Sequence, residues 1–135
     1  MKKTFGIYDH KTQWDVFVIL AQKDIKFALC YYIALETGLR ISDILTLRRP
    51  LEQKFIIKEG KTGKMRQITL SDDLWAIVGI YEQLVPRKFA IQGAGPSATL
   101  MFPFSRSTFW RHMKAATEAC GLHRIGVHGL RKTYG

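Results

Sequence analysis

Apolar and polar positions fall into blocks whose period changes along the chain. From Ile25 to Leu35 almost every residue is apolar (Ile25, Phe27, Ala28, Leu29, Cys30, Tyr31, Tyr32, Ile33, Ala34, Leu35), which predicts a helix buried on nearly all sides rather than one lying on a surface. Lys23 or Asp24 opens this helix, and Gly38 supplies the left-handed residue that closes it after Thr37. Upstream, Thr12–Leu20 reads as a shorter helix; downstream, a further short helix over roughly Ser42–Leu47 is stopped by Pro50 and leaves Arg40 in the bend. From Lys54 the texture turns to β: Phe55-Ile56-Ile57 and Arg66–Leu70 are two strand-like runs across the turn Gly60-Lys61-Thr62-Gly63, a hairpin with a basic tip. Ser71 caps the next helix, Asp72 and Asp73 suit its N-terminal end, and Leu74, Ile77, Val78, Tyr81 and Leu84 form its expected buried stripe up to Pro86. Gln92–Ser97 is loop chemistry, with Gly93, Gly95 and Pro96. A last full helix spans about Ser107–Cys120, carrying Phe109, Met113, Ala116 and Cys120 at helical spacing, with Gly121 at its end. No internal repeat or low-complexity tract divides the chain. The expected fold is therefore one unit over residues 1–135, mainly α with a small β-hairpin, of the α+β class.

Charge narrows the partners. Lys and Arg number 21 against 11 Asp and Glu, a net charge of +10, and a hydrophobic fraction of 47% makes this a basic globular protein rather than a basic disordered tail. The excess is steepest near the C-terminus, where residues 101–135 hold 6 basic residues and 1 acidic one. Such a surface favours a polyanion, with acidic peptides and cationic metabolites as poorer guesses. No run of residues is long and apolar enough for a membrane span, and no helix combines a continuous basic face with a clean apolar one, so nucleic acid is preferred over a lipid surface. The start Met-Lys-Lys-Thr-Phe has no apolar stretch of a leader peptide behind it, and the two cysteines, Cys30 and Cys120, are far apart in sequence; a reducing, cytoplasmic setting is expected.

Three places set basic or titratable groups at structural punctuation. In Thr37-Gly38-Leu39-Arg40-Ile41-Ser42-Asp43, an arginine just past a helix end, between apolar anchors, either satisfies the last carbonyls of that helix or presents its planar fork to a phosphate. The hairpin tip Gly60-Lys61-Thr62-Gly63-Lys64, followed by Arg66, offers lysines either to solvent or to a groove. A P-loop is excluded, because that pattern needs glycine where Phe55 stands and a helix where a strand follows. In His128-Gly129-Leu130-Arg131, a helix starting near Gly129 puts residues 128 and 131 on one side, so that an imidazole and a guanidinium converge; a cap or core histidine is the alternative. Cys120, His123, His128 and His112 match no standard zinc spacing, and neither serine-hydrolase nor zincin motifs occur, so no metal or cofactor is expected.

Taken in order, these segments resemble the catalytic domain of the tyrosine recombinases, the phage-integrase family. The first box is matched by Thr37-Gly38-Leu39-Arg40-Ile41-Ser42-Asp43-Ile44 with Leu47, the hairpin by Gly60-Lys61-Thr62-Gly63-Lys64-Met65-Arg66-Gln67-Ile68-Thr69-Leu70, and the second box by His128-Gly129-Leu130-Arg131-Lys132-Thr133. The resemblance runs from about Asp9 to the end. It implies an incomplete tyrosine-recombinase catalytic domain, without the N-terminal core-binding domain. The family's nucleophilic tyrosine falls beyond the second box, and Tyr134, directly after that box, does not correspond to it.

The resemblance further implies a DNA breaking and rejoining reaction through a 3′-phosphotyrosyl link, with no cofactor, on double-stranded DNA and with self-association there in the intact protein. Arg40 and Arg131 would stabilise the charge that gathers on the non-bridging oxygens of the pentacoordinate transition state. His128 would contact the phosphate and assist proton transfer, and Lys61 would be the general acid for the departing 5′-oxygen. Lys64, Arg66, Arg106, Arg111 and Lys132 are candidate contacts to the phosphate backbone. Two other classes compete. A non-catalytic DNA-binding protein, either a helix-turn-helix regulator or a decayed integrase remnant, would use the Ser107–Cys120 helix and would not require Arg40, Lys61, His128 and Arg131 to converge. An RNA-binding module would want exposed aromatics on a sheet, and the single hairpin provides few.

Overall fold

A computed structural model of the chain describes residues 10–85 and 99–121. Helix α1 (His10–Lys23) is followed after one residue by α2 (Ile25–Thr37), which packs against α1 and against the three other helices, α3 (Ile41–Ile44), α4 (Asp72–Leu84) and α5 (Arg106–Ala119). This central place is what the nearly continuous apolar run of α2 requires: Phe27 to Tyr31, Ile33 and Ala34 are all buried. Its ends are closed as the sequence suggests. Asp24 caps the start by accepting from the Lys26 amide, at 2.9 Å, and Gly38 ends it at φ 71°, donating its amide to the Ala34 carbonyl at 3.0 Å.

Around α2 the remaining helices bury one stripe each. Val16 and Leu20 do so on α1, Leu74, Val78 and Tyr81 on α4, and Phe109, Met113 and Ala116 on α5. The α5 stripe meets the N-terminal turn of α2 through rings: His112 stacks on Phe27 at 4.3 Å, and Phe104, just before α5, lies 4.7 Å from the same ring. Three positions expected in the apolar stripes differ: Leu84, at the last turn of α4, is 66% exposed, and Ile77 and Cys120 are only partly buried.

Strands β2 (Lys54–Lys58) and β3 (Met65–Thr69) form the expected antiparallel hairpin, with Phe55 opposite Ile68 and Ile57 opposite Arg66. A second ladder was not foreseen in the sequence. The two-residue strands β1 (Arg48–Arg49) and β4 (Thr99–Leu100) pair antiparallel, Arg48 opposite Leu100 and Arg49 opposite Thr99. The Arg49 side chain is buried. Its Nε donates to Glu82 Oε1 at 3.0 Å, its Nη2 to Glu82 Oε2 at 3.1 Å and to the Val85 carbonyl at 2.6 Å, and its guanidinium lies over the Tyr81 ring at 5.2 Å. The Tyr81 hydroxyl in turn donates to the Met101 carbonyl. This cluster ties α4 to the strand pair.

Burial leaves a titration signature. It pushes the Cys30 thiol and the Tyr31 and Tyr81 phenols well above their ordinary ranges; at Tyr81 the nearby Arg49 opposes the effect without cancelling it. The unfolded chain releases these protons above roughly pH 9–10 while the folded chain keeps them, so the folded state binds more protons there and loses stability as pH rises. Urea denaturation midpoints are expected to be flat with respect to these groups through neutral pH and to fall above that range; a midpoint that rises there would contradict the burial of all three.

Candidate active site

The bend after α2 is built to hold one arginine. Leu39 and Ile41 are buried on either side of Arg40, whose backbone (φ −69°, ψ 146°) leaves the helical region before α3 begins. Three carbonyls of the last turns of α2 are taken by donors other than Arg40. Gly38 donates to the Ala34 carbonyl, the Thr37 hydroxyl donates to the Ile33 carbonyl at 2.7 Å, and the Thr37 carbonyl accepts from Arg66 Nη2 at 2.9 Å. Arg66 thus caps the helix from 29 positions away, and the Arg40 side chain makes no hydrogen bond among the described residues; its Nε is buried and unpartnered.

The hairpin tip is seated on the same bend. Asp43, buried on α3 three residues after Arg40, accepts the Gly60 amide on Oδ1 at 3.0 Å, and its Oδ2 is buried without a partner among the described residues. A Cβ on residue 60 would stand 3.2 Å from that Oδ1, so glycine is what lets the turn come so close. Glu59 and Lys64 close the turn, the Glu59 amide donating to the Lys64 carbonyl and the Gly63 amide to the Glu59 carbonyl, both at 2.8 Å, with Gly63 at φ 70°. Lys61 and Lys64 are exposed on this turn. The Lys61 turn is therefore one hydrogen bond away from the segment that carries Arg40, although the two lie about twenty positions apart in the chain.

The other candidates divide. Arg66 is half-buried and turned inward, with Nη1 3.9 Å from the buried Glu59 carboxylate in addition to its bond to Thr37. Arg106 and Arg111 are exposed on α5. Helix α5 meets α2 at Phe27 and the hairpin meets it at Thr37, ten residues or about 15 Å further along that helix. His128, Arg131 and Lys132 lie outside the described residues, as do the loop Gln92–Ser97 and Tyr134. No group of three or more metal-ligating side chains occurs among the described residues, and His112, weighed above as a zinc ligand, is stacked on Phe27. A cleft of about 500 Å³ between α1 and α2, lined by His10, Trp14, Phe17, Tyr32, Leu35 and Glu36, shares none of the candidate residues. Sequence reasoning placed Asp43 in the first box without giving it a role of its own, and gave Glu59 no part. The signal available for Asp43 was an acidic residue in a short helix otherwise apolar on its inner side.

The family model described as the phage integrase family matches residues 15–135. The chain belongs to that family. It is 31% identical over 120 residues to the probable integrase/recombinase YoeC of Bacillus subtilis (strain 168), an alignment covering 86% of this chain and 64% of that relative, so the chain spans less than two thirds of the relative's length. Among solved structures it is similar to the lambda integrase catalytic core, with a TM-score of 0.69, 16% identity, and 98% of this chain and 81% of that one covered. It is also similar to a lambda integrase tetramer bound to a Holliday junction, with a TM-score of 0.71, 17% identity, and 99% and 42% covered. At these identities the likeness establishes the fold: the α2–α3 bend and the β2–β3 hairpin belong to an integrase catalytic core, mostly helical with small antiparallel sheets.

Proposed function

We propose that this chain supplies the catalytic domain of a DNA breaking and rejoining, site-specific recombinase. In the reaction, a tyrosine hydroxyl attacks a phosphodiester, the bond from phosphorus to the 5′-oxygen breaks, and that oxygen takes a proton as it leaves, giving a 3′-phosphotyrosyl link and a free 5′-hydroxyl. Rejoining is the reverse with a new 5′-hydroxyl. Arg40 and Arg131 are the donors to the non-bridging oxygens, His128 assists proton transfer at the phosphate, and Lys61 delivers the proton to the 5′-oxygen. Lys64, Arg106, Arg111 and Lys132 contact the DNA backbone, and the protein self-associates on the duplex. The observation that supports this reading is the bond between the Gly60 amide and Asp43, which seats a lysine-tipped turn on the bend of an arginine whose side chain makes no hydrogen bond to a described residue. A helix-turn-helix regulator has no use for that juxtaposition, and the family match sets it aside.

Two measurements test it. Residues 1–135 are expected to bind duplex DNA with steep salt dependence; three phosphate contacts give a log–log slope near −2.7, about 40-fold weaker binding at 200 mM than at 50 mM salt. Affinity unchanged over that range would count against a backbone-contacting role. Incubated with a nicked duplex that traps covalent product, residues 1–135 alone are expected to form no adduct, and the complete gene product to form a 3′-phosphotyrosyl one. An adduct at Tyr134 would overturn the assignment of the second box.

A further inference from the structure

On the reading just given, Lys61 must meet a leaving oxygen while Arg40 holds the same phosphate, so the tip of the hairpin has to be fixed relative to the α2–α3 bend. Apolar packing does not fix it. The inward positions of the hairpin run Phe55, Ile57, Glu59 on one side and Ile68, Arg66 on the other, so apolar contact ends at Ile57 and the last inward residues are charged. The outer face offers nothing more, for Lys54, Ile56, Lys58, Met65, Gln67 and Thr69 are all exposed. A two-stranded ribbon that extends past its apolar support is marginal by itself.

We infer that Arg66 and Asp43 are positioning residues that latch the lysine-bearing turn to the arginine-bearing bend at two points. Arg66 bridges the Thr37 carbonyl, at 2.9 Å, and the Glu59 carboxylate, at 3.9 Å, so that one guanidinium grips the end of α2 and the residue at the base of the turn. Asp43 accepts the Gly60 amide at 3.0 Å from the opposite side of that base. Both are directional bonds, which set orientation as well as distance, and both partners on the α2–α3 side lie within three residues of Arg40. Arg66 therefore acts within the protein and not on the DNA backbone, because its terminal nitrogens are turned to protein acceptors.

The test separates a displaced lysine from a damaged fold. Sulfur in place of the bridging 5′-oxygen of the substrate gives a leaving thiolate, which needs no proton. In the complete gene product, Arg66→Ala and Asp43→Ala are expected to cleave ordinary duplex about 10²-fold more slowly, as for the loss of a positioned acid, and to recover most of that rate on the thio-substituted duplex. Asp43→Asn, which keeps a carbonyl oxygen for the Gly60 amide, is expected to restore cleavage of the ordinary duplex. Lys61→Ala is the control for the underlying reading. If it is not rescued by sulfur, the general-acid role falls and the latch with it; if it is rescued while Arg66→Ala and Asp43→Ala are not, the latch alone is overturned. Where Arg66→Ala lowers the melting temperature, Asp43→Ala, which leaves the packed apolar residues in place, carries the same comparison. With residues 1–135, Arg66→Ala is expected to leave the salt slope of DNA binding unchanged. A slope smaller by about one would make Arg66 a phosphate contact and refute the inference.

Discussion

Arg40→Ala in the complete gene product is expected to slow DNA cleavage by about 10²–10³-fold, the loss of about 2.7–4 kcal/mol associated with removing one donor to a developing oxyanion. The same change is expected to leave the melting temperature unaltered or slightly raised. Both halves follow from the bend. The helix end preceding Arg40 is satisfied without it, by Gly38, Thr37 and Arg66, and no hydrogen bond of its side chain to a described residue is lost on truncation. Its buried Nε has no partner among the described residues, a desolvation that costs the folded state free energy, so removing it relieves rather than creates a deficit. A group kept in that condition gains most when an anion arrives. Arg40→Lys is expected to recover little, since an ammonium cannot reproduce the two-pronged geometry. Cleavage at the wild-type rate in Arg40→Ala, or its failure to fold, would remove Arg40 from the site.

The second large effect is on stability. Glu82→Ala is expected to destabilise the chain by about 3–5 kcal/mol, because it leaves the Arg49 guanidinium charged and buried with its two-toothed partner gone. Against a typical stability of about 5–15 kcal/mol that is a large fraction. The double replacement Arg49→Met with Glu82→Leu is expected to recover most of the loss, since neither charge then remains to be compensated. Urea denaturation of the three variants decides it. A change under about 1 kcal/mol in Glu82→Ala would mean that the pair is solvated like a surface ion pair.

What could be read in advance was whatever local chemistry determines. The bounds of α2 follow from Asp24 and Gly38 acting on their own neighbours, and the hairpin from Gly60, Gly63 and the runs beside them. The β1–β4 ladder was hidden because two residues carry no period, and Arg48-Arg49-Pro50 reads as a basic, broken stretch. Only a carboxylate 33 positions away turns Arg49 into a core residue. The inward turn of Arg66 was hidden for the same reason: a sequence shows that a side chain is cationic, and not whether its acceptors come from solvent, DNA or a helix end across the molecule. Arg40 and Lys61 stood out as candidates from their order in the chain; that Asp43 ties the turn of one to the bend of the other did not, because a hydrogen bond to a backbone amide leaves no mark on residue type. Leu84 failed differently, since helical spacing fixes a direction around the axis but not how far the supporting body extends beneath it.

Arg49 also stands at a neck. Its backbone pairs with Thr99 and its side chain donates to the carbonyl of Val85, the residue that follows α4. The exit of α4 and strand β4 are thereby tied to one residue, so a substitution there loosens both together.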